Sequence, residues 1–131
     1  MIGLDTNVLV RYFMQDDARQ SAQAKALINS LSVSNRGFVS LVVVSEFVWV
    51  LSYVFQLSRN DVNEILGRLS RMPEFKLEKL VVFLRALRLC NTSSADFIDC
   101  LIFSVAKRAG CSHTATFDRK ATKVPGVLRV D

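Results

Sequence analysis

Short apolar runs alternate along the chain with longer stretches of helical periodicity. Strands are predicted at residues 1–4, 38–40, 75–77, 111–117 and 127–130. Helices are predicted at residues 8–15, 16–32, 41–57, 58–72, 80–90 and 95–109. This alternation predicts an α/β fold, which we expect to be a three-layer α/β/α sandwich with a short, mainly parallel central sheet. We expect residues 1–131 to form one domain.

Local signals predict where several helices begin and end. Ser58, followed three residues later by Asp61, predicts a capped helix start, and the loop at 91–94 predicts the N-cap of the following helix. Gly110 predicts a helix end. In the helix predicted at 16–32, the small and apolar residues that repeat at helical spacing are Ala22, Ala26 and Leu27.

Residues 38–57 form a twenty-residue stretch whose single charged residue is Glu46. The length would suffice for a membrane span, but the central carboxylate and the turn signal at 35–37 favour a strand followed by a buried helix. We therefore expect no membrane segment. A carboxylate buried in such a helix needs a partner, which leaves two alternatives for Glu46: a salt bridge to a distant Lys or Arg, or a bound cation.

Composition narrows the class of partner and site. Lys and Arg number 17 and Asp and Glu 12, so the net charge of +5 favours a polyanion such as nucleic acid. Three cysteines without a CxxC pair, and one histidine (His113), exclude an ordinary zinc site. We interpret His113 as structural and the cysteines as reduced and mostly buried, which is typical of a cytoplasmic protein.

Five acidic residues lie where ordinary surface acids are not expected: Asp5, Glu46, Asp96, Asp99 and Asp118. Asp5 and Asp118 each follow a predicted strand, and Glu46 and Asp99 lie on apolar helices. Taken singly, a helix cap or a turn explains Asp5 and Asp118, and Asp96 caps a helix equally well. Taken together, four converging carboxylates require divalent cations, and oxygen-only ligands favour Mg²⁺ or Mn²⁺. Such a site over a basic surface suits phosphodiester cleavage.

Four segments in order resemble the motifs of the PIN-domain nucleases, with the size and spacing of the small bacterial toxins of the VapC type. The segments are GLDTNVLV at 3–10, VVVSEFVWVL at 42–51, ADFIDCLI at 95–102 and TFDRKA at 116–121. The resemblance implies a PIN-like nuclease domain over 1–131 and Mg²⁺- or Mn²⁺-dependent endoribonuclease activity. It also implies an RNA substrate, a small cognate antitoxin and a homodimer.

The resemblance also implies roles for individual residues. Asp5 and Asp99 match direct metal ligands, Glu46 completes the shell or orients water, and Asp118 binds through water or a second metal. These four residues are therefore the predicted catalytic and metal-binding set. The matching accessory residues are Asp96, Thr6, Asn7 and Thr116. Independently of the resemblance, the basic residues beside Asp118 are candidates for RNA phosphates: Arg119, Lys120 and Lys123.

Two other functional classes stay open at the level of the sequence. One is a non-catalytic PIN-like module that binds RNA or protein. The other is an aspartyl-phosphate phosphotransfer enzyme, in which Asp5 would be the nucleophile. That chemistry needs a second acid two residues after Asp5, where this chain has Asn7.

Overall fold

The computed structural model describes all residues, 1–131. Its strands are β1 (Ile2–Gly3), β2 (Gly37–Val39), β3 (Phe75–Leu77), β4 (Thr114–Thr116) and β5 (Val127–Arg129). Its α-helices are α1 (Thr6–Met14), α2 (Ala18–Asn29), α3 (Leu41–Trp49), α4 (Arg59–Arg71), α5 (Leu80–Thr92) and α6 (Phe97–Arg108). A π-helical turn follows α3 at Val50–Val54, and a 3₁₀ helix lies at Lys120–Lys123.

The chain divides into two compact units, Met1–Glu78 and Lys79–Asp131. The first unit contains a three-stranded parallel sheet in the order β1-β2-β3, in which Ile2 is paired with Gly37 and Gly37 with Phe75. The second unit contains β4 and β5 as a parallel pair. Each pair of parallel strands is joined by a connection that contains helix, as parallel pairing requires. The predicted α/β class and parallel strands are confirmed, whereas the single-domain boundary stays a prediction.

Fully buried apolar side chains from the strands and helices form the core of the first unit. Leu9 of α1, Val39 of β2, Phe47 of α3 and Leu66 of α4 are each inaccessible to solvent. Burial of one such side chain contributes about 1.5–3 kcal/mol. The core therefore fixes which face of each helix packs on the sheet, and with it the positions of the strand ends.

In the second unit, α5 and α6 pack closely against each other. The rings of Phe83 and Phe97 lie 5.3 Å apart between their centroids, and both side chains are buried. Cys90 and Cys100 are fully buried, Cys111 is exposed, and none of the three forms a disulfide. Two of the three cysteines thus match the expectation of reduced, buried thiols.

Most predicted element boundaries are confirmed to within a few residues. The hydroxyl of Ser58 accepts a hydrogen bond from the backbone N–H of Asp61 at 3.1 Å, as the capping signal predicted. Gly110 follows α6 with φ of 93°, a conformation that favours glycine. The predicted strand at 111–117 is longer than β4, because only three of its residues pair with β5.

The helical repeat of Ala22, Ala26 and Leu27 does not coincide with the buried face of α2. Ala22 and Ala26 are exposed, and the buried residues of the helix are Ser21, Ala24 and Ile28. Alanine is found on both the buried and the exposed face of a helix, so the spacing of the alanines did not distinguish the core side of α2 from its solvent side. Ile28 has the largest buried apolar side chain of the helix, and its face packs inward.

Three residues other than glycine adopt the left-handed region: Gln15, Gln56 and Lys79, each with φ of 50–53°. Gln15 ends α1, where its backbone N–H donates to the carbonyl oxygen of Arg11 at 3.1 Å. A helix end of this kind satisfies a carbonyl that would otherwise lack a partner.

The apolar stretch at 38–57 does not form one long helix. It contains β2, α3 and the π-helical turn in succession. None of the helices combines the length and the apolar character that crossing a bilayer requires.

Candidate active site

Asp99 is a candidate carboxylate whose pKa is shifted by its surroundings. It lies in the first turn of α6, is half-buried, and forms no ion pair. Burial, the charge of Asp96 and the charge of Asp118, in that order of importance, raise the pKa of Asp99 above its ordinary value. Asp96 and Asp118 are therefore each close enough to repel Asp99, and no cationic side chain forms an ion pair with any of the three.

Asp99 lies on a face of α6 that is only partly buried. Phe103, four residues on, is buried, but Ile102 is 52% exposed. The face that carries Asp99 therefore runs along the border between core and solvent, which leaves the carboxylate accessible to a ligand.

Asp96 occupies the N-cap position of α6, and its side chain makes no capping hydrogen bond. The backbone begins the helix instead, since the carbonyl oxygen of Asp96 accepts from the N–H of Cys100 at 3.0 Å. The prediction that the loop at 91–94 supplies the cap is wrong, because α5 extends through Thr92 and uses part of that loop. The carboxylate of Asp96 is exposed and engaged in no cap.

Asp118 lies in a tight turn after β4. Its Oδ1 accepts from the backbone N–H of Lys120 at 2.9 Å, and its own N–H donates to Oγ1 of Thr116 at 3.1 Å. The turn interpretation of Asp118 is thus confirmed, and Thr116 helps to hold that turn. The neighbouring basic residues are all exposed: Arg119, Lys120 and Lys123.

In the first unit, Asp5 stands at the N-cap of α1 without capping it. Its φ and ψ of −82° and 159° suit a cap, but its side chain makes no capping hydrogen bond. By contrast, Asp17 and Ser40 each accept a capping bond at the start of α2 and α3. The capping explanation for the Asp5 carboxylate therefore fails, and this exposed side chain has no structural partner.

The two residues after Asp5 differ in their environment. Thr6 is 4% exposed, and its hydroxyl oxygen has no hydrogen-bond partner. Asn7 is exposed. A buried hydroxyl without a partner carries a desolvation cost, so Thr6 is held at this strand end at some expense in stability.

The expectation that Glu46 is buried is wrong. Glu46 is exposed, as are Val42, Trp49 and Tyr53, which share its face of the helix. Burial of α3 depends instead on Val44, Phe47 and Val48. The sequence was misleading because apolar residues occur on both faces of α3. Glu46 also forms no ion pair, so the proposed salt bridge to a distant cation is absent.

Each unit thus carries part of the predicted set. In the second unit, Asp96 and Asp118 lie within electrostatic reach of Asp99. In the first unit, Asp5 lies at the start of α1 and Glu46 lies on α3. In neither unit do three or more His, Cys, Asp or Glu side chains form a group arranged to hold a metal ion. The donor atoms available are carboxylate oxygens, the ligands preferred by hard cations.

Comparison with known families decides the class of the protein. The sequence profile of the PIN domain matches residues 2–127. The chain belongs to the PIN domain family. This confirms the resemblance carried by the four motifs. The chain is also similar to the VapC ribonuclease of Aquifex aeolicus (strain VF5), with 23% identity over 121 residues that cover 92% of this chain and 90% of that protein.

Membership of the PIN domain family and similarity to a ribonuclease support a PIN nuclease. The family match also includes every candidate carboxylate, from Asp5 to Asp118. The raised pKa of Asp99 is the structural observation that bears most directly on the ligand of this PIN domain protein.

Proposed function

We propose that this PIN domain protein is a Mg²⁺- or Mn²⁺-dependent endoribonuclease and the toxin of a type II toxin–antitoxin pair. The family match and the similarity to a VapC ribonuclease support the nuclease class. The proposed catalytic and metal-binding residues are Asp5, Glu46, Asp99 and Asp118, with Asp96, Thr6, Asn7 and Thr116 as accessory residues.

The observation that carries the proposal is the crowding of negative charge at Asp99. Its carboxyl is half-buried and repelled by Asp96 and Asp118, and no Lys or Arg forms an ion pair with it. A fold gains no stability from such an arrangement. Uncompensated carboxylates held together are typical of sites that bind a cation or a proton during function.

The donor set fits a hard divalent cation. Asp99 and Asp5 would supply direct carboxylate oxygens, Glu46 would complete the shell or orient the attacking water, and Asp118 would bind through water or a second metal. When bound, the cation would neutralise the carboxylates and activate a water for attack on a phosphodiester. Asp118 already has one oxygen committed to the N–H of Lys120, which limits it to its remaining lone pairs.

The chain's own residues would position the RNA. Arg119, Lys120 and Lys123 are exposed in and before the 3₁₀ helix, directly after Asp118. Cations at this place would hold the phosphates that flank the cleaved bond, and binding would weaken steeply as salt increases. The unpartnered hydroxyl of Thr6 and the exposed Asn7 would donate hydrogen bonds beside Asp5.

Protein partners form the second part of the proposal. We propose a cytoplasmic protein that forms a homodimer and is inhibited by a small cognate antitoxin. Support for the homodimer comes from Trp49 and Tyr53, which are 56% and 70% exposed, with ring centroids 5.6 Å apart. Adjacent exposed aromatic rings are enriched at protein interfaces.

Cleavage of RNA by the purified full chain tests the nuclease proposal. Total RNA is incubated with Mg²⁺, with Mn²⁺ or with EDTA, and with the variants Asp5→Asn and Asp99→Asn. We expect discrete fragments that disappear in EDTA and fall by about a hundredfold or more in both variants, the scale on which loss of a charge-stabilising group acts. Glu64→Gln, which changes an exposed acid on α4, is the matched control and retains activity.

Two outcomes would overturn the proposal. Folded protein that binds RNA tightly without cleaving it, independently of metal, would indicate the non-catalytic binding module. Phosphatase activity that persists after all nuclease activity is abolished would indicate the phosphotransfer enzyme. Circular dichroism of each variant separates loss of activity from loss of folding.

A further inference from the structure

A small, partly open cavity lies at the surface of the second unit, and none of the candidate carboxylates lines it. Its volume is about 180 Å³. Residues of α5, of α6 and of the segments at 111–114 and 124–126 line it. Leu89, Phe103 and Val124 supply an apolar wall, and the polar part of the lining consists mainly of Arg85, Lys107, Ser112 and His113.

The charged lining residues of this cavity are cations, and they lack acidic partners. Neither Arg85 nor Lys107 forms an ion pair, and no Asp or Glu lines the cavity. Single cations are common on protein surfaces. Two unpaired cations in one concave site with a partly apolar wall instead raise the positive electrostatic potential within that site. Low-dielectric walls strengthen that potential for an entering anion.

Neighbouring donors complete the polar lining. The hydroxyl of Ser112 and Nδ1 of His113 lie 3.0 Å apart. This contact leaves Nε2 as the ring nitrogen of His113 without a partner. A guanidinium, an ammonium, a hydroxyl and an imidazole nitrogen are the side-chain groups that donate hydrogen bonds to phosphate oxygens.

The cavity and Asp118 lie toward opposite ends of the same strand pair. Ser112 and His113 precede β4, and Gly126 precedes β5, so the cavity is at the amino ends of two parallel strands. Asp118 follows the carboxyl end of β4. Three residues of strand span about 10 Å, which separates the cavity from the carboxylate.

We propose that this cavity is a phosphate-binding site that takes inorganic phosphate or the phosphate group of a small phosphorylated molecule. The size of the cavity supports a small anion, since one water occupies about 30 Å³ and drug-sized ligands need about 300 Å³ or more. A phosphate with a few waters, or with a short organic group against Phe103, fits this volume. The site does not depend on the nuclease proposal.

Proton NMR of the full chain tests the site, because His113 is the one histidine and its ring resonances need no assignment. The protein is titrated at fixed pH in EDTA with inorganic phosphate and, separately, with 5′-AMP; sodium chloride at matched ionic strength is the control. We expect phosphate to produce a saturable shift of the His113 ring protons that chloride does not produce. A shift with phosphate alone identifies the free ion as the ligand, and a tighter shift with 5′-AMP identifies a phosphorylated molecule.

Matched variants distinguish a built site from general attraction of anions. Arg85→Met and Lys107→Met should each weaken binding by about tenfold or more, because each removes a charge-assisted hydrogen bond. Arg88→Met and Arg108→Met change exposed cations on the same two helices outside the lining and should stay within about twofold, since exposed charges are screened. A non-saturable shift, no shift with either probe, or equal weakening by all four variants would overturn the proposal.

Discussion

Replacing Asp99 with asparagine should stabilise the metal-free protein. The substitution keeps the shape of the side chain but removes a charge that Asp96 and Asp118 repel. Asp96 lies three residues before Asp99, and a like-charged pair at that spacing destabilises by about 0.2–0.5 kcal/mol. Asp118 lies on another element, and its repulsion of Asp99 adds an effect of similar small size, so the total relief is about 0.4–1 kcal/mol. For a chain of this length, that gain raises Tm by about 1–4 °C. The half-buried position and solvent screening keep the expected gain in this small range.

Thermal unfolding of the wild type and Asp99→Asn in EDTA at low salt measures this gain. The folded-state pKa of Asp99 is raised, so its ionised form destabilises the fold above that pKa. The variant's advantage should therefore be present at pH 7 and should close as pH falls toward the ordinary value of about 3.9. High salt should also reduce it. Glu64→Gln, an exposed acid elsewhere, should stay within about 0.5 kcal/mol of the wild type.

A loss of stability in Asp99→Asn beyond about 1 kcal/mol would refute this reasoning, because it would mean that the carboxylate makes a stabilising contact. Metal provides a separate comparison. If Asp99 holds a divalent cation, Mg²⁺ at a hundred times its Kd should stabilise the wild type by about 2.7 kcal/mol, which reverses the order of the two proteins. Failure of this reversal would count against the metal proposal and leave the repulsion argument intact.

Other features of the fold give shorter tests. Cys111 alone should react with a thiol reagent in the native protein, and all three cysteines should react after unfolding, as counted by mass spectrometry. Ser58→Ala should lower the free energy of unfolding in urea by about 1 kcal/mol, because it removes a capping hydrogen bond. Asp5→Ala should lower it by less than about 0.5 kcal/mol, because the Asp5 side chain makes no capping hydrogen bond. If the proposed homodimer forms, Trp49→Ala should shift it toward monomer in sedimentation, and an unchanged dimer would exclude this face from the interface.

The order of strands and helices could be predicted because its signals are local. Ser58 caps the helix that its spacing predicted, and Gly110 ends the next-to-last helical segment in the conformation that glycine favours. The motifs around Asp5 and Asp99 likewise pointed to the family that the profile confirms. These signals depend on neighbouring residues and need no knowledge of tertiary packing.

Features that depend on tertiary packing could not be predicted in the same way. Glu46 lies on a helix with apolar residues all round, and only packing of Phe47 and Val48 inward determines that Glu46 is exposed. The cavity beside His113 combines residues more than twenty positions apart in sequence, so no local pattern marks it. The interpretation of His113 as structural followed from its place in the predicted strand at 111–117, but β4 begins only at Thr114, one residue after His113.

The left-handed residues have a consequence for thermal robustness. A residue with a side chain in this region is destabilised by about 1–2 kcal/mol relative to right-handed backbone. Glycine avoids that cost, but it loses about 0.5–1 kcal/mol more conformational entropy on folding. Glycine at Gln15, Gln56 or Lys79 would thus add a few tenths to about 1 kcal/mol per position. None of the three is a candidate site residue, so these substitutions should raise the free energy of unfolding and leave the candidate site unchanged. The stability of this chain is therefore below the maximum that its fold allows, as is usual when selection removes only those variants that are too unstable to function.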